Sequence, residues 1–370
     1  MPVPVRLDAG TISSFTAFTA IAKEDRRVRL LGGRWKQPAH YPASAMLFPQ
    51  AITDGSPEFD ANGWAPQRYG NLSGIEFTLP AGQTAFELVS FDTGSVGGAF
   101  LEIDGKRTSA TPFDFDMRTR NGVTKYLRFE LPPANRARRL TLWTANLIYG
   151  GLLLPAGDTI GPAPANSENL VSVVFVGDSI TEGSAASSKG LAWPAHAAAR
   201  LGVRNPIVSA IGGTGYMARR ADRPNTFDER LDDVLKAVDD GPPDALVIAG
   251  GANDCASYPP ADIGDAAREY FAALRSAAPE MPIFVIAPFS SYTGVPYPAQ
   301  SASCRDAIFD AAQSVPLTYT INTADWVTAV NRDELFDGAR NGPHPVDAGH
   351  AEYGRRAAEA ISSHIQAMKL

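Results

Sequence analysis

Two hydrophobic rhythms divide the chain. From residue 1 to about 165, apolar positions alternate with polar ones at a period of two, which buries one face of a strand and turns the other outward. Ile75, Phe77 and Leu79 follow that rhythm, Phe86 and Leu88 continue it, and Leu127, Phe129 and Leu131 repeat it before a Pro-Pro turn. Leu140 and Leu142 come next. Asp104-Gly105, directly after Phe100-Leu-Glu-Ile103, is a hairpin signal, because both residue types accept the positive φ of a tight turn. The spacing predicts an all-β sandwich or jelly roll.

Periodicity disappears in the Pro- and Gly-rich stretch 154–165, which marks a boundary between domains 1–165 and 166–370. Beyond it, near-continuous apolar runs at 171–176, 245–249 and 283–287 read as strands buried on both faces. Helical periodicity at 192–201, 227–238, 261–278, 301–314 and 345–368 fills the intervals. Strand and helix in alternation predict an α/β domain with a parallel sheet flanked by helices.

The first apolar strand of this second domain runs into Gly177-Asp178-Ser179 and presents one hydroxyl at its carboxyl end. Three further blocks follow in order: Ile211-Gly-Gly-Thr-Gly215, Gly250-Gly-Ala-Asn-Asp254 and Asn341-Gly-Pro-His-Pro345. A serine hydroxyl is a poor nucleophile at neutral pH and needs a base within hydrogen-bond reach. Of the five histidines, His40, His196, His344, His350 and His364, only His344 sits in a turn-rich loop before the last helix, where an open α/β sheet places its site residues. Taken singly, Gly212, Gly213 and Gly215 indicate a tight turn and Asn253 a helix cap. The order of the four blocks gives them a second meaning.

Those blocks resemble the SGNH (GDSL-type) hydrolase family, over a span from about Ser172 to the end of the chain. The resemblance implies a flavodoxin-like sheet, Ser179 as nucleophile and His344 as its base. It also implies an oxyanion hole built from the Ser179 N–H, the N–H of Gly213 or its neighbour Gly212, and the Asn253 side chain. An all-β domain in front of such a fold is similar to the arrangement in carbohydrate esterases that remove acetyl groups. The expectation is therefore a serine esterase working through an acyl-enzyme, most readily an O-deacetylase of an acylated carbohydrate, with the first domain as a carbohydrate-binding accessory. A lipase, thioesterase or arylesterase on a small or lipid acyl substrate is one alternative, and a weakly active binding or structural protein of a cell surface or phage tail is another. Trp193, Tyr216, Tyr258 and Tyr292, on or near the loops after the strands, are candidates to stack on sugar rings; Trp35, Trp64 and Trp143 are core or glycan platform in the first domain.

One position departs from the family pattern. Where an aspartate is expected three residues before the histidine, this chain has Asn341, which offers no charge to an imidazolium. Asn341 itself, a backbone carbonyl, or Asp337 folding back from the same loop are the candidates to orient His344. Asp347 reads first as an N-cap or first-turn acid of the final helix, and Asp178 as a structural anchor of the nucleophile turn.

Composition removes other classes. A formal charge of −7, without Lys or Arg clusters, excludes a nucleic-acid groove. No apolar run of about 18 residues is present to span a membrane, and the amino terminus lacks the basic and apolar regions of a secretory signal. The expectation is a soluble protein, in the cytoplasm, exported by another route or carried on a virion; the oligomeric state is open. The chain has no Gly-x-Ser-x-Gly elbow, phosphate loop or His-Glu-x-x-His helix, so neither metal nor cofactor is expected. Cys255 and Cys304 are expected to be buried free thiols, with a single bridge as the alternative.

Overall fold

Alternating apolar residues organise the first half of the computed structural model, which describes residues 5–9, 11–36, 48–49, 72–91, 96–116, 124–144, 149–163, 170–220, 226–238, 241–295, 297–338, 340 and 342–368. The chain divides into two compact units, with the change-over between Leu170 and Val171. In the first unit, strands Val5–Ala9, Thr124–Glu130, Ala85–Phe91, Leu152–Pro155 and Phe18–Ile21 form one sheet in that spatial order. Phe113–Asp116, Val96–Ile103, Arg138–Thr144, Ser73–Leu79 and Arg29–Leu31 form a second, and all pairings are antiparallel.

The residues picked out by their period of two meet in one core. Ile75, Phe77, Leu79, Phe86, Leu88, Leu127, Phe129, Leu140 and Leu142 are buried together, with Phe86 stacked on Phe129 at a centroid separation of 4.8 Å. Asp104 and Gly105 have φ of 54° and 78° and join Val96–Ile103 to Lys106–Arg107 as a hairpin. Trp143 is buried, and Trp35 packs against the core while its indole N–H donates to the Leu31 carbonyl. Trp64 lies outside the described residues.

In the second unit the apolar runs become five parallel strands: β1 (Ser172–Gly177), β2 (Asn205–Ala210), β3 (Ala245–Ala249), β4 (Ile283–Ile286) and β5 (Thr318–Ile321). Their spatial order is β2-β1-β3-β4-β5, the flavodoxin-like order, in which the chain reverses its winding direction between β1 and β3. Successive side chains of a strand point to opposite faces. Val174 and Val176 therefore enter one core with Leu246, Ile248, Ile283 and Val285, while Val173 and Phe175 enter the other with Val247, Ala249, Phe284 and Ile286.

Helices cover both faces. They are α1 (Ser179–Glu182), α2 (Trp193–Leu201), α3 (Leu231–Leu235), α4 (Ala252–Cys255), α5 (Pro260–Ala277), α6 (Ala299–Gln313), α7 (Arg332–Leu335) and α8 (Asp347–Met368). Ile263, Ala267, Tyr270, Phe271 and Leu274 of α5 join the first core with Cys304 and Ile308 of α6, whereas Trp193 and Ala197 of α2 join the second with Tyr353 and Ala357 of α8. The helix expected over 227–238 is broken into a 3-10 turn at Asp228–Arg230 and the short α3. Thr226 and Glu229 bond reciprocally at its start, a capping box, while Phe227 and Arg230 are both driven inward and tighten the turn.

The expectation of free thiols is corrected. Cys255 of α4 and Cys304 of α6 are joined as a disulfide, with Cα atoms 5.9 Å apart, inside the range of about 4.4–6.8 Å that a bridge requires. Their separation of 49 residues in sequence disappears because both helices pack on the same face of the sheet.

His350, in the first turn of α8, ties that helix to the chain following α1. A carbonyl can only accept and an amide N–H only donate, so its Nε2–H donates to the Ser184 carbonyl at 3.1 Å and its Nδ1 accepts from the Trp193 N–H at 3.3 Å. Burial keeps the ring neutral and lowers its pKa from 6.5 to about 4. As pH falls, an unfolded chain takes up this proton near 6.5 and the folded one only near 4, so the stability that the neutral ring contributes is intact above that window and lost through it. The loss amounts to about 3 kcal/mol when complete. Chemical denaturation should show His350→Gln less acid-sensitive than wild type by about that amount between pH 6.5 and 4; parallel stability curves for the two proteins would contradict this.

Candidate active site

β1 ends at Gly177 at the switch point of the sheet, the place where open α/β folds bind ligands. Asp178 caps α1 by accepting the Ile180 N–H at 2.9 Å, which leaves Ser179 as the first helical residue. An N–H in the first turn has no partner within its helix. Ser179 is half-buried, and His344, in the loop before α8, brings Nε2 to 2.8 Å from Ser179 Oγ. The two residues are 165 positions apart, and the fold brings them to a hydrogen bond.

The loop after β2 lies against the serine. An added Cβ at Gly212 would sit 3.2 Å from Ser179 Cβ, so the two backbones are in near contact. Gly212 gives its own N–H to Glu182 Oε2 at 2.8 Å, whereas Gly213 takes a left-handed φ of 81°. That donation commits Gly212 and leaves Gly213 as the glycine of choice for an oxyanion donor. Asn253, in α4 after β3, donates from Nδ2 to the Thr214 carbonyl at 2.9 Å and lies 3.5 Å from Asp178 Oδ2. It is thereby fixed to the neighbours of both Gly213 and Ser179.

Beneath these groups lie charges that the sequence reading did not identify. Asp254 is fully buried, and its carboxylate accepts the N–H groups of Tyr216, Met217 and Ala218 at 3.0, 2.8 and 2.7 Å. Gly215 is required there, because any Cβ would collide with that carboxylate. Burial raises the Asp178 pKa to about 7, opposed by the Ile180 N–H, reinforced by Asp254 and opposed again by the Arg230 cation. Arg230 is itself fully buried, and burial lowers its pKa to about 10. The sequence signals were thin: Asp254 merely follows Asn253, and Arg230 stands in a helical stretch rich in charge.

The remaining candidates are placed as follows. Asp337 is half-exposed, and its carboxylate pairs with Arg340 at 3.1 Å. Asp347 opens α8 and accepts both the N–H and the hydroxyl of Ser187, at 2.8 and 2.6 Å. Asn341 lies outside the described residues. Trp193 and Tyr216 are corrected from sugar-stacking candidates to core. Trp193 packs edge-on to Phe175 and Phe289, and Tyr216 is buried among Phe227, Tyr270 and Phe271. Trp193 opens α2 on the face that packs into the second core, and Tyr216 backs into the first. Tyr258 is half-buried against the first core, and Tyr292 packs on Phe336 with the Arg332 guanidinium 5.2 Å from its ring centre. Among the described residues, no cluster of His, Cys, Asp and Glu is arranged to hold a metal ion, and no helix is long and apolar enough to cross a membrane.

Comparison with known proteins agrees with this geometry. Residues 175–352 match the GDSL-like Lipase/Acylhydrolase family. No curated protein matches in sequence. Solved structures with the same fold include the salicylyl-acyltransferase SsfX3 from a tetracycline biosynthetic pathway, with a TM-score of 0.70 at 14% identity, covering 94% of this chain and 98% of that one. A family two carbohydrate esterase from Cellvibrio japonicus gives a TM-score of 0.63 at 14% identity, covering 94% and 98%. The acetyl xylan esterase Est2A from the rumen bacterium Butyrivibrio proteoclasticus gives 0.63 at 14% identity, covering 95% and 99%. Residues 175–352 are thus a GDSL-like lipase/acylhydrolase domain, and the chain is an enzyme of the carboxylic ester hydrolase class.

Proposed function

We propose that this protein is a serine esterase that removes O-acetyl groups from a carbohydrate through an acyl-enzyme. The observation that carries the reading is the 2.8 Å contact between His344 Nε2 and Ser179 Oγ, the geometry of a base addressing its nucleophile. Ser179 Oγ attacks the ester carbonyl carbon as its proton passes to His344 Nε2. The negative charge formed on the carbonyl oxygen is met by the N–H groups of Ser179 and Gly213 and by the Asn253 amide, one N–H of which leaves its long 3.5 Å bond to Asp178 Oδ2 to reach it. His344 then protonates the leaving sugar oxygen, which departs as a hydroxyl, and a water, deprotonated by the same ring, releases acetate from Ser179.

The likeness of the fold to carbohydrate esterases supports the sugar substrate, and the all-β unit in front of the catalytic one is assigned as a carbohydrate-binding accessory domain. The loop 337–344 supplies the group that orients His344. Asn341, a backbone carbonyl or Asp337 is the group assigned to that role, and the pairing of Asp337 with Arg340 favours the first two. Transfer of the acyl group to an acceptor other than water is a second reading, favoured by the fold shared with a salicylyl-acyltransferase. It uses the same acyl-enzyme and differs only in what attacks it.

Acetate release from a panel of acetylated glycans, alongside p-nitrophenyl esters of increasing chain length, tests the substrate class. Acetyl esters should be preferred, and a preference for long chains would favour a lipid substrate. Ser179→Ala should lower kcat by about 10³-fold or more, and Asn253→Ala by about 10²- to 10³-fold with KM little changed. Asn341→Asp should raise kcat, within the bound of about 10⁴ that the reverse change costs a serine protease. Asp337→Ala should stay within about twofold of wild type; a fall to background would assign the orienting role to Asp337.

A further inference from the structure

Arg230 is a buried cation that the mechanism above does not use. Its acceptors are all neutral oxygens. Nη1 donates to the carbonyl and hydroxyl of Ser209 at 2.8 and 3.3 Å, Nη2 to the Gly177 carbonyl at 3.2 Å and the Thr214 hydroxyl at 3.4 Å, and Nε to the Thr226 carbonyl at 3.4 Å. Placing a guanidinium in a protein interior is costly unless its fork of N–H groups is met, and here the fork spans separate segments of the site.

Gly177 closes β1 and leads directly into Asp178 and Ser179. Ser209 lies at the end of β2. Thr214 follows Gly213, and its carbonyl accepts the Asn253 amide at 2.9 Å. One planar group is therefore bonded at or next to the turns that present Ser179 and Gly213, and reaches Asn253 through Thr214. The carboxylates that anchor the same turns, Asp178, Glu182 and Asp254, accept the N–H groups of Ile180, Gly212 and residues 216–218. They fix the orientation of each turn, whereas the arginine fixes the spacing between turns.

We infer that Arg230 is the positioning residue of the oxyanion hole: its rigid fork holds the nucleophile turn and the loop after β2 at the separation at which the donors converge. The inference rests on the hydrolase reading of the site. Lysine keeps the charge but has a single nitrogen, so Arg230→Lys cannot bridge both strand ends in the same way. Thr214→Val removes one acceptor and leaves the guanidinium in place. A donor held slightly out of place weakens the transition state more than the substrate complex.

Steady-state kinetics with p-nitrophenyl acetate, normalised to the number of active sites from the p-nitrophenol burst, reads the effect. Both variants should lose about 10- to 100-fold in kcat with KM within about threefold. A trifluoromethyl ketone, which forms a tetrahedral adduct with the serine, should bind more weakly in proportion to the loss in kcat/KM. A residue that serves stability alone would lower the melting temperature and the number of active sites, and leave turnover per site and ketone affinity unchanged; that result overturns the inference. Should Arg230→Lys fail to fold, Thr214→Val carries the test, and turnover per site within about twofold of wild type overturns it. Ser179→Ala separates the two failures. If it retains turnover, the hydrolase reading falls; if it is inactive while Arg230→Lys and Thr214→Val turn over normally, only the role of Arg230 falls.

Discussion

A hydroxyl and an imidazole 2.8 Å apart are the interaction on which the account depends, because neither group does acyl chemistry alone. They arise at opposite ends of the second unit's sequence. Ser179 comes directly after the first strand of the sheet and His344 just before the last helix. Parallel strands place all their carboxyl ends along one edge, so loops distant in sequence become neighbours there. The strand order β2-β1-β3-β4-β5 puts β1 between β2 and β3, which brings the Gly213 and Asn253 loops to either side of the nucleophile.

The turns at that edge are held by buried ionisable side chains. Asp178, Glu182 and Asp254 each take backbone N–H groups from a site turn, and Arg230 takes the carbonyls at the ends of β1 and β2. Buried ionic groups contribute little net stability, and leaving one unpaired costs several kcal/mol. Their retention here is better understood as geometry. A turn anchored by a carboxylate from below has few ways to reorganise when charge develops above it, and a preorganised site does not have to move during the reaction.

Much of this was legible in the sequence. The period-two residues from Ile75 to Leu142 became one core, and Asp104-Gly105 became the hairpin it signalled. Four short blocks pointed to Ser179, Gly213 or its neighbour Gly212, Asn253 and His344, and the fold brings the first and last of these to a hydrogen bond. What escaped was the layer beneath: Asp254 acts through contacts 36 to 38 residues away in the chain and Arg230 through contacts up to 53 residues away, and no local spacing announces such bonds. Trp193 and Tyr216 were misread because a loop position at a strand's carboxyl end does not say whether the ring faces solvent or core. The cysteines were misread for a similar reason, since proximity between α4 and α6 is a property of the packed sheet.

The most direct test of the central claim is covalent. The folded protein, treated with a fluorophosphonate and digested, should carry the adduct on the peptide containing Ser179, and His344→Ala should take up the label far more slowly. An adduct on another serine, or labelling of Ser179 at an undiminished rate without His344, would show that the hydroxyl and the imidazole do not act together and would contradict the account.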